Sequence, residues 1–246
     1  MSVMVSWVGF NDSVRGFFEQ VTVVSEAPSL WILVVAFVLA CAALHPTVWP
    51  YARNVITIAH EGGHAVVGRM VGRRVGGVEL NADTSGVTVT SGNPRGLGMV
   101  FTAAAGYPAP ALFGLLGMWG LSYGYVSGVL WGVFVLLAVL MVFIRNLYGA
   151  FIVAVTGAAI FGLSYAAPAI IQTLGAYLLV FFLLAGSVRP VWELQAKRRA
   201  GEGAESDADQ LAGLTFIPGI VWVGVFGVSV VAACVTAAFM VVGLVV

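Results

Sequence analysis

The sequence predicts an all-α polytopic membrane protein of about seven transmembrane helices, with one small membrane-associated β-hairpin interrupting the helical run. Three observations carry that expectation. Of the 246 residues, 60% are hydrophobic and only 9% charged, against roughly 25% charged in a soluble domain. Apolar runs long enough to cross a bilayer core, which takes about 20 helical residues, recur along most of the chain. One further run of that length carries a cluster of ionisable side chains, and at membrane depth such residues mark function.

Taken in order, residues 1–28 lack a basic leading region, and Asn11, Asp12, Arg15, Glu19 and Gln20 interrupt their apolar residues, which argues against a cleavable signal peptide. Phe10, Val14, Phe17, Phe18 and Val21 follow helical spacing instead. That pattern predicts an amphipathic helix at the membrane surface, or docked on its own protein. Residues 29–246 read as a single membrane-embedded domain. Its spans are expected at 29–49, 54–72, 97–120, 123–143, 147–165, 168–186 and 218–244, with 54–72 the most polar. Residues 75–91 alternate, Val78 and Leu80 then Val87 and Val89, around a turn-rich Asn81 to Gly86, and predict the hairpin. Residues 193–209, with Lys197-Arg198-Arg199 and Gly201-Glu202-Gly203, form a polar linker. Placing Arg73, Arg74, Arg145, Arg189 and Lys197 to Arg199 in the cytoplasm, with Arg53 outside, gives an inside amino terminus and an outside carboxyl terminus.

The charge balance, 11 basic against 11 acidic residues, offers nothing to a nucleic-acid partner. Cys41 and Cys234 each stand alone in apolar runs, without the paired spacing of a zinc ribbon or a disulfide framework.

The informative feature is His60-Glu61-Gly62-Gly63-His64, an H-E-x-x-H signature. On a helix the two histidines share one face and can take two corners of a zinc tetrahedron, with Glu61 beside the metal's water as general base. A catalytic zinc needs a third protein ligand. His45 sits near a span end beside Pro46, where an interfacial polar cap accounts for it; Asp207 and Asp209 precede the last apolar stretch, which Pro218 divides. A short helix from Ser206 could dip into the membrane and bring one of these aspartates to the metal, while the other caps the helix. Gly62 and Gly63 cost about 2 kcal/mol in a helix interior, and serve either a substrate strand beside the zinc or close helix packing. The hairpin, through Val87 and Val89, can pair with an unwound substrate by β-augmentation or simply connect. Asn146 supplies either a polar substrate contact or an interfacial anchor.

A membrane-embedded H-E-x-x-H helix, a hairpin after it and a distant aspartate resemble the site-2 protease family of intramembrane zinc metallopeptidases. Arg145-Asn146, Ser206-Asp207-Ala208, Leu211 to Thr215, Ile217-Pro218 and Trp222 resemble its compact branch lacking a PDZ domain, found in bacteria and in plant-like members. The resemblance covers roughly residues 50–225. It implies one Zn2+ per chain held by His60, His64 and Asp207, Glu61 as general base, and cleavage of membrane-spanning protein substrates during regulated intramembrane proteolysis in a bacterial plasma membrane, with or without an accessory membrane protein. Two departures stand out. Familiar members place the third ligand in Leu-Asp-Gly, and they carry Gly-Pro-x-x-Asn where this chain has Gly106-Tyr107-Pro108-Ala109-Pro110.

Two rival readings are weaker. A CAAX-type membrane zinc protease would take a glutamate as third ligand, and Glu193, Glu202 and Glu205 all fall in the linker. A zinc-binding transporter or non-catalytic scaffold would place further acidic or histidine residues along several spans, and spans two to six offer almost none beyond Glu61.

Overall fold

The computed structural model describes residues 15, 16, 18, 19, 21–201 and 206–245; most of the interfacial helix expected over 1–28, and residues 202–205 of the linker, lie outside them. Among the described residues the order is α1 (Leu30–Ala43), α2 (Trp49–Met70), β1 (Arg74–Leu80), β2 (Gly86–Ser91), α3 (Leu97–Ala104), α4 (Ala109–Ser122), α5 (Val126–Phe143), α6 (Leu147–Ala166), α7 (Ala169–Arg199), α8 (Asp207–Thr215) and α9 (Gly219–Val245).

The helical class and the hairpin are as expected, but seven spans are not supported. Among the described residues four helices, α5, α6, α7 and α9, are long and apolar enough to cross a membrane, and α3 with α4 makes a fifth if that pair, bent by 71°, is one broken span. The bend falls at Gly106-Tyr107-Pro108, where proline removes a backbone donor and disfavours helix in the residue before it. α1 has only 14 residues, and α2 carries Arg53, His60, Glu61, His64 and Arg69. The linker also shrinks. Glu193 to Lys197 are good helix formers, and α7 runs unbroken through them to Arg199 despite Pro190.

Contacts between helix ends correct the expected topology. The Ser25 N–H donates to the Gly124 carbonyl at 2.8 Å, so the chain before α1 lies at the α4–α5 end of the bundle, where the expected topology had the two on opposite sides. Arg53 pairs with Glu193 at 3.2 Å, and Arg189 reaches the Leu44 carbonyl at 2.8 Å. The end of α7 therefore meets the start of α2, two places expected to be separated by the bilayer. Because α5, α6 and α7 follow one another up and down, α5 and α7 finish at the same end of the bundle. α2 begins against the finish of α7, and the hairpin after it is bound to the finish of α5, where Val78 bridges Ile144. Both ends of α2 thus lie at one end of the bundle, which explains how so polar a helix is accommodated: it need not cross.

Three apolar cores hold this frame. The largest joins α1, α4, α5, α7 and α9 through residues such as Ala36, Met118, Leu130, Tyr177 and Val230. A second seats β1 on α2, α5 and α6 through Ile58, Val78, Leu80, Leu140 and Val153. The third fixes α8 to α3, α7 and α9 through Ala103, Leu194, Ala208, Leu211 and Phe226.

Candidate metal centre

Four residues of α-helix turn through about 400°, so His60 and His64 share a face of α2. Their Nε2 atoms lie 3.1 Å apart. From the far end of the sequence, Asp207 brings its Oδ2 to 3.2 Å from the His60 Nε2 and 3.3 Å from the His64 Nε2. A tetrahedral zinc with ligand bonds of about 2.0–2.1 Å has edges of roughly 3.3–3.4 Å, so the three atoms are spaced as one face of such a tetrahedron.

The proton on His64 is fixed by its surroundings. Its Nδ1 lies 2.7 Å from the carbonyl oxygen of Thr102, which can only accept. Nδ1 therefore donates, and Nε2 is left to present its lone pair to the centre. Among the described residues Asp207 Oδ2 is buried without a hydrogen bond of acceptable geometry, although both imidazole nitrogens are within 3.3 Å. Lone pairs converging at this spacing suit a shared cation better than an ion pair. Gly106 completes the cradle. A Cβ at that position would run into both Nε2 atoms and stand 2.6 Å from His60 Cε1, so the bare backbone keeps the space beside the ligands free. His45 lies elsewhere, bonded to Thr47 at 2.8 Å.

Asp207 arrives correctly because α8 is locked at its first turn. Ser206 caps the helix: its hydroxyl accepts from the Asp209 N–H at 3.3 Å and donates to the Asp209 carboxylate at 2.6 Å, a reciprocal cap. The same carboxylate pairs closely with Arg198 at the end of α7. Residues two apart on a helix point about 200° apart, so binding Asp209 to Arg198 turns Asp207 inward. Desolvation opposes ionisation of Asp209, but Ser206 and Arg198 outweigh it and hold its carboxyl below the usual range. Fully buried Ala208 and Leu211 supply the apolar seat.

Glu61, 3% exposed, is oriented by β2. The Thr88 hydroxyl lies 2.6 Å from Glu61 Oε2, and Gly86 permits the approach, since a Cβ there would stand 2.6 Å from Glu61 Oε1. The turn before β2 is stiffened by Asp83, which accepts from the Ser85 N–H and hydroxyl at 2.9 and 2.6 Å. Those bonds hold the Asp83 carboxyl low.

The other site residues expected from sequence fall in different places. Gly63 is packed so closely on the α3–α4 elbow that a Cβ would stand 3.0 Å from the Ala105 carbonyl; it has the packing geometry, with no room for a substrate strand. Gly62 faces away from the histidines, with only Phe113 among the described residues within 4 Å of an added Cβ. Val87 and Val89 are exposed on β2, 53% and 54%. Asn146 is spent on the hairpin itself: its side chain accepts from the Leu80 N–H at 3.3 Å and donates to the Leu80 carbonyl at 2.6 Å, like an added strand residue.

Sequence reasoning missed Thr88, Thr102, Gly106, Tyr107 and Arg198 as site builders. Tyr107 packs edge-on to His60 at 4.9 Å and stacks on Phe226 at 5.1 Å, walling the site. The Gly-Tyr-Pro departure was the available signal for Gly106 and Tyr107. A backbone acceptor such as the Thr102 carbonyl leaves no sequence signal.

No curated protein and no solved structure matches this chain. The profile of the Peptidase M50B-like family matches residues 31–238, a stretch that runs from the start of α1 through most of α9 and contains every residue of the candidate metal centre. The match covers most of the chain, and this chain belongs to the Peptidase M50B-like family, the site-2 protease group of membrane metallopeptidases.

Proposed function

We propose that this protein is a zinc-dependent intramembrane endopeptidase that hydrolyses peptide bonds within or near the membrane spans of substrate proteins. The observation that carries the reading is the convergence of His60, His64 and Asp207 at 3.1–3.3 Å beside a carboxylate held by Thr88. Zinc bound there would act as a Lewis acid and lower the pKa of water toward about 7. Glu61 would accept the proton from that water and return it to the leaving amine. Thr88 keeps one carboxylate oxygen of Glu61 in place, and Thr102 keeps His64 in the tautomer that leaves Nε2 unprotonated.

Peptide bonds of a substrate helix are shielded by their own hydrogen bonds, so the substrate must unwind before cleavage. β2 offers it a partner. Val78 and Leu80 direct backbone groups toward residues 145–146, so Thr88 and Gly86, their register partners, direct theirs to the opposite edge. Neither has a backbone partner there among the described residues. A strand added at this edge would pass beside Glu61, with Val87 and Val89 flanking it. The positively charged end of the bundle, with Arg53, Arg73, Arg74, Arg145 and Lys197 to Arg199, would be cytoplasmic; residues 21–25 would then lie outside, the reverse of the orientation expected from sequence.

The test is purified protein reconstituted with a single-span substrate. Wild type should hold about one zinc per chain and cleave; Glu61→Gln should keep the zinc and lose cleavage. Zinc below about half an equivalent in folded protein, or full turnover by Glu61→Gln, refutes the reading.

A further inference from the structure

On the side of α2 turned away from the histidines lies a cavity of about 500 Å³, walled almost wholly by apolar side chains, among them Ala59 and Val66 of α2, Leu136 and Leu140 of α5, and Leu179 and Leu183 of α7. Val66 and Leu136 are exposed, so the cavity opens toward the surroundings of the bundle. Its one charged lining residue is Arg69, exposed and without a hydrogen bond or ion pair among the described residues.

The dimensions indicate what fits. Along α5 the lining runs from Val133 to Phe143, about 15 Å of rise, which is half of a hydrocarbon core of about 30 Å. The cavity is therefore one leaflet deep. A substrate span needs about 20 residues, roughly 30 Å of rise, to cross the core, twice the length of this lining. One acyl chain needs no more than the cavity provides, and pockets of 300–1,000 Å³ are the usual size for small ligands. The charge at the mouth selects the head. Arg69 lines the cavity together with Val75 and Phe143; Arg74 stands at the start of β1, and Arg145 lies two residues beyond Phe143. Arg145 is bonded to the Gly76 and Val142 carbonyls and Arg73 to Thr90 and Asn93, which leaves Arg69 and Arg74 to face an anion. Glu79, the one acid of β1, stands near its other end.

We propose that this cavity binds one anionic glycerophospholipid from the leaflet at the arginine-rich end, with an acyl chain between α2, α5 and α7 and the phosphate at Arg69. Such a lipid would lie along the back of the helix that carries His60 and His64, so the bilayer itself would brace the metal centre.

The experiment is photo-crosslinking of the full chain in nanodiscs, using phosphatidylglycerol with a diazirine midway along one chain, and phosphatidylcholine with the same chain. Adducts are mapped by peptide mass spectrometry. Phosphatidylglycerol should label the α2 and α5 segments around Val66 and Leu140 in preference to phosphatidylcholine. Arg69→Gln should cut that preference about fivefold, as expected for one cation at a membrane surface, Arg69→Lys should retain it, and Leu140→Trp should abolish labelling by filling the cavity. Should Leu140→Trp fail to fold, Arg69→Gln, which alters an exposed side chain, decides alone. Equal labelling by the two lipids, labelling no denser than on the outward residues Phe239 and Val242 of α9, or loss of the labelling when a single-span substrate helix is present during photolysis would each overturn the proposal.

Discussion

α2 and α8 each bring metal-ligand candidates to the same point, and they do so by opposite means. α2 presents His60 and His64 through spacing alone: any helix formed by these residues puts both on one face, whatever surrounds it. α8 has no such internal logic. Its nine residues place Asp207 correctly only because Ser206 caps them, Arg198 holds Asp209, and Leu211 and Ala208 are seated in a core built from α3, α7 and α9. Half of the site is therefore local and half is tertiary, and the two halves should fail differently.

The largest effects should come from α2. His60→Ala or His64→Ala should lose both zinc and cleavage, while Glu61→Gln should lose roughly 10²–10⁴-fold in rate with the metal retained; metal analysis and a single-turnover assay on the same preparations separate the outcomes. Gly106→Ala offers a harsher check, because it removes no ligand. Its methyl group would occupy the space against both Nε2 atoms, so zinc should fall to the level of the histidine variants while the protein stays folded. Full zinc in Gly106→Ala would mean that the ligands approach the metal from another direction.

The tertiary half should divide its two aspartates. Asp207→Ala should abolish zinc binding and cleavage. Asp209→Ala removes a capping partner and an ion pair, together worth about 1–2 kcal/mol, and should loosen α8 without deleting a ligand. Cleavage should fall by no more than about tenfold and zinc should be recovered when the metal is in excess. If the two variants fail equally, seating is as demanding as ligation; if Asp209→Ala alone loses zinc, the ligand role moves to Asp209.

The same contrast governs how much could be read from the sequence. The motif and the hairpin are local patterns, and both stand where the spacing puts them. Asp207 could be named only with Asp209 beside it until a family resemblance chose between them, because the choice is made by Arg198, whose position depends on α7 continuing through residues that look like linker. The span count failed for a related reason. Hydropathy and the distribution of arginines assume that each apolar segment crosses, and α2, whose two ends lie at one end of the bundle, breaks the alternation for everything before it. Gly62 and Gly63 were indistinguishable in sequence; in the fold Gly63 is packed against the α3–α4 elbow and Gly62 lines the apolar cavity between α2, α5 and α7.

The smallest predicted effect tests whether α2 is as self-contained as its motif suggests. Glu61 lies on α2, but its carboxylate is held by the Thr88 hydroxyl at 2.6 Å, so the proposed general base borrows its orientation from β2. Hydrogen bonds to charged groups contribute about 1.5–3 kcal/mol, and part of this is recovered if water replaces the hydroxyl. Thr88→Val keeps the shape and the β-branched side chain that suit a strand while removing the donor. Cleavage should fall by about tenfold, with zinc content and thermal stability close to wild type, and Thr88→Ser should restore most of the rate. An unchanged rate in Thr88→Val would show that Glu61 is placed by its own helix after all; a rate lost together with zinc would show that β2 supports the whole centre and not the base alone.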